Sequence, residues 1–513
     1  MKLPRILIFV ILAIFSLITA PSYAATFTVD SVGDGNDANQ GDGNCATSEN
    51  ACTLRAAMEE SNALPGLDII EFQSDGSYVL TSSSIPEITD SVTVRPGPAS
   101  NITITAPAIP TLTILIRVLG SGTVATFEQL TFTNPSGRAI VSGAGTNVFI
   151  DDCTFDGNIN TSGSVSGAAL NTNGDAEVTD SEFRNNQSNI TSGGAIFVGN
   201  NGTVTIRNSL IEDNSAKTGG GIAVGNSREE LILENVTLQR NNALDNGGGI
   251  YSQATVRSDG VTLFQNTAVN DGGGIWASNN AGGNANDALD LVGANIRDNE
   301  AGGKGGGVFL GAGAQALHRF LISRSAIWEN TATDGGGVYA QSGFDAPIFL
   351  ANTTIGLNDA DTGGGIYFQS GEMTILHATI WDNQAEQVRI GLANADVGMA
   401  NSIIGFDDAG ASGCDLPPLM LAGPNLGSDA TCGASLIGDP LLGTITNTGG
   451  YAPTQPFAAE SPALDAADKT LCSADPINFY DSDGPNRPNG LECDLGAWES
   501  LFFIFVDGFE TQD

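Results

Sequence analysis

Histidine is nearly missing from this sequence: 513 residues contain two, His318 and His377. Hydrolases that rely on an Asp cluster with histidine are hard to build from so few. The two fall in separate repeat units with no acid cluster aligned to both, so a structural or surface role is expected for each. Positive charge is scarce too. Nineteen Lys and Arg stand against 58 Asp and Glu, a formal net charge of −39. That excludes DNA, RNA and anionic lipid as partners. It fits a soluble extracellular surface, with no cofactor expected and calcium as the one candidate ion, although solubility alone accounts for it. Long apolar runs are confined to Ile6–Ile18, 13 residues, which is short for a membrane span. With Lys2 and Arg5 before it and Ser22-Tyr23-Ala24 after it, this reads as a secretory leader over 1–24. No transmembrane helix is expected in the mature chain.

Glycine, by contrast, is abundant, 66 residues, and it is ordered. Seven Gly-rich runs begin at Gly193, Gly219, Gly247, Gly272, Gly305, Gly335 and Gly363, 25 to 33 residues apart, each followed by Ile or Val. Shortly before each run comes an apolar residue, two residues, then Asn. The asparagines are Asn158, Asn186, Asn214, Asn241, Asn266, Asn299, Asn330, Asn358 and Asn383, and seven of the nine have Ala two positions on. Upstream lies a short alternating segment such as Val204-Thr-Ile206. A period of this length marks a solenoid. The apolar runs are short, β-branched and bounded by Gly and Asn, as in strands. A helical-hairpin repeat would lose about 1 kcal/mol per Gly relative to Ala. The expected fold is all-β: a right-handed parallel β-helix, pectin-lyase-like, with a short N-terminal capping helix, forming a monomeric rod ~50 Å long at about 4.8 Å per coil. The asparagines are expected to form one hydrogen-bonded column.

Seven cysteines follow the leader. Six fall into near neighbours, Cys45 with Cys52, Cys414 with Cys432 and Cys472 with Cys493, and pairing neighbours is one of 15 connectivities. Cys153 is left over. In register it shares a column with Ser181, Ser209, Val236, Val261, Ala294, Ser325, Thr353 and Ala378, which predicts a buried structural thiol.

The ends of the chain carry resemblances. Cys52-Thr-Leu-Arg-Ala-Ala, then Asn62-Ala-Leu-Pro-Gly-Leu-Asp-Ile-Ile70, resembles the CSLREA domain, which stands at the front of exported β-helix proteins. Thr53 and Ala56 depart from its Cys-Ser-Leu-Arg-Glu-Ala core. Thr53 is a natural cap for a helix from Leu54 to Ala63 with Leu54, Ala57 and Met58 inward. Gly-Gly-Ala-Ile at 193–196 and Phe183-Arg-Asn-Asn186 are similar to repeats of the polymorphic outer-membrane proteins, surface-displayed adhesins. The membrane β-barrel that ends those proteins has no counterpart here. Asp481-Ser-Asp483-Gly, Arg487-Pro488 and Cys493-Asp-Leu-Gly-Ala-Trp-Glu499 resemble the choice-of-anchor Q region. The expected division is a leader at 1–24, a cap at 25–65, a β-helix at 66–450 with Val397 to Ile404 as its last clear coil, a C-terminal cap at 451–500 and a tail at 501–513.

Three sets of residues are candidates for chemistry. The residue after each glycine-run Ile or Val is aromatic in six of seven units: Phe197, Tyr251, Trp276, Phe309, Tyr339 and Tyr367. Strand alternation turns these outward, giving a stack along one face that would suit sugar rings or simply pack on itself. Asp213 and Arg240, in a charged stripe beside the Asn turn, could serve as calcium ligand and base of a lyase, or could form surface ion pairs. The loops holding Asp34, Asp37 and Asp42, or Asp481 and Asp483, could take calcium, although neither has EF-hand spacing. The reading is a secreted or cell-surface protein that binds polysaccharide or cell-surface glycan, an adhesin. The alternatives are a polysaccharide lyase or glycoside hydrolase of the same fold, and a structural surface component.

Overall fold

The computed structural model describes residues 24–500, less 82–86, 108–112, 201, 226–228, 279–286, 312–318, 342–346, 393–394, 407–411, 416–419, 422, 451, 474–480, 482–486 and 489–491. Residues 1–23 of the expected leader, the 501–513 tail, His318 and Asp483 lie outside the described residues.

One coil shows how the sequence builds the whole. Thr203–Arg207 is a strand whose Val204 and Ile206 point inward and whose alternate residues face out. A single left-handed residue, Asn208 at φ 48°, turns the chain into Leu210–Glu212. Asp213 at φ 55° and Asn214 make the second corner, into Ser215–Thr218. Gly219 at φ 63° makes the third, into Ile222–Val224. Asn and Asp tolerate this conformation and Gly adopts it freely. The strands stack in parallel on the coils before and after. Four sheets result, of 15, 15, 7 and 13 strands in the order in which a coil visits them. The seven-stranded sheet, from Gln187–Ser192 to Asp359–Thr362, lies between the Asn corner and the glycine run. It gives those coils a fourth strand. Its inward residues are the recurring alanines, Ala216, Ala243, Ala268, Ala301, Ala332 and Ala360, all buried.

The glycine-run Ile and Val align from Ile196 through Ile222, Ile250, Ile275, Val308 and Val338 to Ile366, all fully buried. The asparagines form one ladder. Each Nδ2 from Asn158 to Asn358 donates to the Oδ1 of the next coil's Asn at 2.8–3.0 Å. Gln387 ends it, its Oε1 accepting from Asn383 at 2.8 Å. Cys153 is buried and free. Its backbone N–H donates to Ser181 Oγ at 3.0 Å, and Ser181 N–H to Ser209 Oγ at 3.1 Å. Burial pushes the Cys153 thiol up to about 12, which leaves no thiolate near neutral pH. The other six cysteines form Cys45–Cys52, Cys414–Cys432 and Cys472–Cys493.

The start of the β-helix and its last coil differ from expectation. Thr26–Val29, placed in the cap by sequence, is the first strand of the first sheet and pairs with Asp68–Phe72. The capping helix, Leu54–Ala63, follows it; Thr53 Oγ1 accepts from Ala56 N–H at 3.1 Å and Leu54, Ala57 and Met58 are buried. The coils also run past Ile404, through Ser412–Asp415, Met420–Leu421, Leu426–Gly427 and Leu436–Ile437. The glycine signature is absent there, which hides the repeat. The segment after 440 folds back along the rod. Phe457, Ala463, Leu495 and Cys493 pack with Trp381, Ile403 and Leu426 in a second apolar cluster. Ala497 N–H donates to Thr379 Oγ1 at 3.1 Å. Among the described residues no helix is long and apolar enough to cross a membrane.

His377 is enclosed by this segment, 0% exposed, with Nε2 2.9 Å from Asn401 Nδ2. Burial, helped by the Arg487 cation, holds its pKa well below the ordinary 6.5. The unfolded chain therefore binds a proton that the folded one refuses. Stability from this group is full above pH 6.5 and falls as pH drops below it, by up to about 1.4 kcal/mol per unit. The raised carboxyls of Asp68 and Asp494, both shifted chiefly by burial, act in the opposite sense but from an ordinary value of 3.8. Melting temperature measured from pH 7.5 to 5 is expected to fall in the wild type and to flatten in His377→Gln.

Candidate functional site

The aromatic column forms, with two changes. Tyr251, Trp276, Phe309, Tyr339 and Tyr367 follow one another in register. Their centroids are 4.5, 5.7, 5.5 and 5.0 Å apart and their planes lie within 23° of parallel. Phe197 is not in the stack, because Ala223 occupies the coil between it and Tyr251. Nor do all the rings face solvent: Phe309 and Tyr339 are 4% and 2% exposed. Since each ring covers its neighbour's face, what the stack presents outward is edges. Among the described residues, Tyr251 Oη, Trp276 Nε1 and Tyr367 Oη have no hydrogen-bond partner, and all three residues are half-buried.

A polar row runs beside the rings, on the residue before each glycine run. It includes Asn246, Asp271, Lys304, Asp334 and Thr362. Lys304 Nζ stands 4.8 Å from the Tyr339 ring centroid, a cation–π contact. Its backbone N–H donates to Asp271 Oδ1 at 2.9 Å. Burial raises the Asp271 carboxyl, only partly offset by Lys304. Burial raises the Tyr251 phenol and Asp245 adds to it. Burial also raises the Tyr339 phenol against the opposing pull of Lys304. The stripe is thus a run of flat apolar edges with unused donors, bordered by carboxylates and one ammonium.

Asp213 and Arg240 are brought together, but as partners of each other. Arg240 Nε and Nη2 donate to Asp213 at 3.0 and 2.9 Å, and Nη2 to Glu212 at 2.5 Å. The Asp213 bond, with Glu212 behind it, raises the guanidinium further from deprotonation. Arg240 and Asp213 are thus paired with each other at the surface. Both are left-handed corner residues, at φ 53° and 55°, which accounts for their place in the repeat. Two of the calcium candidates have protein partners. Asp34 accepts from Arg55 Nε at 2.7 Å and Nη2 at 3.2 Å. Asp481 is fully buried and accepts from Glu499 N–H at 3.1 Å. Among the described residues no group of three His, Cys, Asp or Glu side chains is placed to hold a metal.

Sequence reasoning missed a cleft of about 850 Å³ on the early coils, walled by the Pro96–Ser100 turn and lined by Glu71, Arg95, Glu128, Gln129 and Asp152. Arg95 Nη2 lies 2.6 Å from Glu71 Oε1. The glycine signature begins downstream of these coils, so the repeat gave no register in which to align them.

Residues 115–288 match the family described as "Right handed beta helix region". No curated protein matches the sequence. Two solved structures are similar at 14% identity. One is the pectate lyase Pel9A, with 93% of this chain and 97% of that chain covered and a TM-score of 0.27. The other is the A-module of the Azotobacter vinelandii mannuronan C-5 epimerase AlgE6, with 74% and 95% covered and a TM-score of 0.33. The family match and the observed coils agree: the chain folds as a right-handed parallel β-helix.

Proposed function

We propose that the protein is an exported or surface-displayed rod that binds a neutral polysaccharide lengthwise along the aromatic stripe, in an adhesive role. The observation that carries this reading is the row of unused donors, Tyr251 Oη, Trp276 Nε1 and Tyr367 Oη, held at the edge of one rigid stack. Aromatic edges with a polar tip suit a ligand that is apolar on its ring and wet at its hydroxyls. The spacing of about 4.8 Å per coil lets a chain molecule touch several coils at once. Asp271 and Asp334 beside the stripe, and a net charge of −39, disfavour a polyanionic glycan. Three disulfides and the leader-like start of the sequence support export.

The test separates ligand contact from packing. A Tyr251→Phe, Trp276→Phe, Tyr367→Phe variant keeps the stack and removes the donors. It is expected to lose at least tenfold in retention on neutral-polysaccharide affinity gels, with the melting temperature within a few degrees of wild type. Unchanged retention would make the stack packing only. The cleft around Arg95 favours a second reading, a polysaccharide lyase or hydrolase, because it sets a guanidinium among carboxylates in a space large enough for a sugar.

A further inference from the structure

One residue, Asn401, ties the C-terminal segment to the rod at two points. It is a buried left-handed corner at φ 52°, one coil after the His377 corner at φ 48°. Its Oδ1 accepts from Asp468 N–H at 2.8 Å and its Nδ2 donates to Asp468 O at 3.0 Å. Its backbone O accepts from Gly496 N–H at 2.9 Å. A backbone N–H only donates and a backbone carbonyl only accepts, so the Asp468 main chain fixes which way the Asn401 amide points. The group 2.9 Å from His377 Nε2 is therefore the NH₂. The ring must accept there, neutral, with its proton on Nδ1. A protonated ring would set N–H against NH₂. Flipping the amide to relieve this would turn NH₂ on Asp468 N–H and oxygen on Asp468 O. Other groups facing the ring on the segment are the Arg487 guanidinium, paired with Glu499 at 3.0 Å, which opposes a second positive charge, and the Asp494 backbone carbonyl, which favours it. The Asp494 carboxylate accepts from Asp465 and Ser500 N–H, and that of Asp468 from Thr470 N–H. Asn352 and Asn401, on the coils to either side, are neutral.

We propose that His377 and Asn401 form an acid-sensitive latch: protonation of the buried ring breaks the Asn401–Asp468 clasp, and the C-terminal segment lifts from the rod while the distant coils stay folded. No covalent bond prevents this. Cys472–Cys493 closes within the segment, Cys414–Cys432 closes within the last coils, and Cys153 is free. The interface is also imperfectly satisfied. Among the described residues, Trp381 Nε1 on the rod and Gln455 Oε1 on the segment are closed off from solvent without a hydrogen bond. Such orphans weaken the hold of the apolar contacts around them. Lifting uncovers Trp381, Ile403 and Leu426, which lie on one 15-stranded sheet under Phe457, Ala463 and Leu495. Closed, the ring refuses the proton; released, it takes one at the ordinary 6.5. Opening is therefore independent of pH above 6.5 and rises below it, by up to about tenfold per unit.

The test is hydrogen exchange on the full chain at pH 7.5, 5.5 and 4.5, for the wild type, His377→Gln and Asn401→Asp. Protection factors are read for peptides holding the amides of Asp468, Gly496 and Ala497, which bond to the rod, and for the distant strand Thr203–Arg207. In the wild type, segment protection is expected to fall about tenfold by pH 5.5 and about a hundredfold by pH 4.5, with the distant strand unchanged. His377→Gln keeps an acceptor for Asn401 that does not titrate, so its segment should stay closed throughout. Asn401→Asp gives the charged ring a carboxylate to face, so segment protection should hold or rise from pH 7.5 to 5.5. Segment protection that does not fall in the wild type would overturn the latch, as would an equal fall in the distant strand or the same fall in His377→Gln. The wild-type fall retained in Asn401→Asp would overturn it too, and decides the matter even if His377→Gln does not fold.

Discussion

Replacing Gly273 with alanine is expected to lower stability by about 3–5 kcal/mol, among the largest effects a single methyl can have. Gly273 is the middle glycine of its run. A Cβ there would stand 2.5 Å from Gly306 O and 2.6 Å from the Glu300 carbonyl carbon and oxygen of the next coil. Those atoms are backbone already fixed in the stack: Gly273 N–H donates to Gly305 O at 3.1 Å and Gly274 N–H to Gly306 O at 3.0 Å. No side chain is available to swing away, so the coils must part. In a solenoid the damage stays near its source, since each coil contacts its neighbours alone. Urea unfolding should show a lowered midpoint, and limited proteolysis should open first near 270–310. A variant that melts within about 1 kcal/mol of wild type would mean that the glycine runs do not set the coil spacing.

Asn266→Ala is the second large loss, about 2–4 kcal/mol. Asn266 Oδ1 accepts from Asn241 N–H at 3.0 Å and from Asn241 Nδ2 at 2.9 Å. Its own Nδ2 donates to Leu238 O at 2.9 Å and Asn299 Oδ1 at 3.0 Å. Alanine strips Asn241 N–H and one hydrogen of Asn241 Nδ2 of their acceptor and takes one donor each from Leu238 O and Asn299 Oδ1, though Asn299 Oδ1 keeps the Asn266 N–H; burying the stripped donors costs more than the bonds themselves contributed. Asn266→Asp should be worse at neutral pH. Its second oxygen would face the Asn299 Oδ1 acceptor, and its charge would be buried. Calorimetry of the three proteins under one set of conditions checks both the size and the order.

These two positions also show why so much of the fold was legible. Gly and Asn recur because backbone approach and the left-handed corners leave few alternatives, so the constraint is written in residue identity. The Ile and Val after each glycine run gave the inward register, and Ile196 to Ile366 follow it. What the sequence hid lies where packing, not backbone geometry, decides. The short sheet after the Asn corner is marked by alanine, which fits a narrow inward space but is no strand signal. The last coils lose the glycine runs, and their outward residues, Trp381 and Ile403, turn apolar because the C-terminal segment covers them. The aromatic stack was legible as a column that could pack on itself, but not the burial of Phe309 and Tyr339 or that Ala223 cuts Phe197 off. The charged pair Asp213 and Arg240 looked like chemistry because left-handed corners favour polar residues. The structure gives them to each other.

The central claim is that this rod binds a neutral glycan along its stripe and leaves it intact. It is tested most directly by incubating the purified protein, with and without calcium, with a panel of neutral and acidic polysaccharides. Retention and chain cleavage are read together, the latter as unsaturated product or new reducing ends. The account predicts retention of neutral chains, abolished by the Tyr251→Phe, Trp276→Phe, Tyr367→Phe variant, with no cleavage of any member of the panel. Cleavage by the wild type that is lost in Arg95→Ala, with retention untouched by the stripe variant, would contradict it and move the function to the cleft.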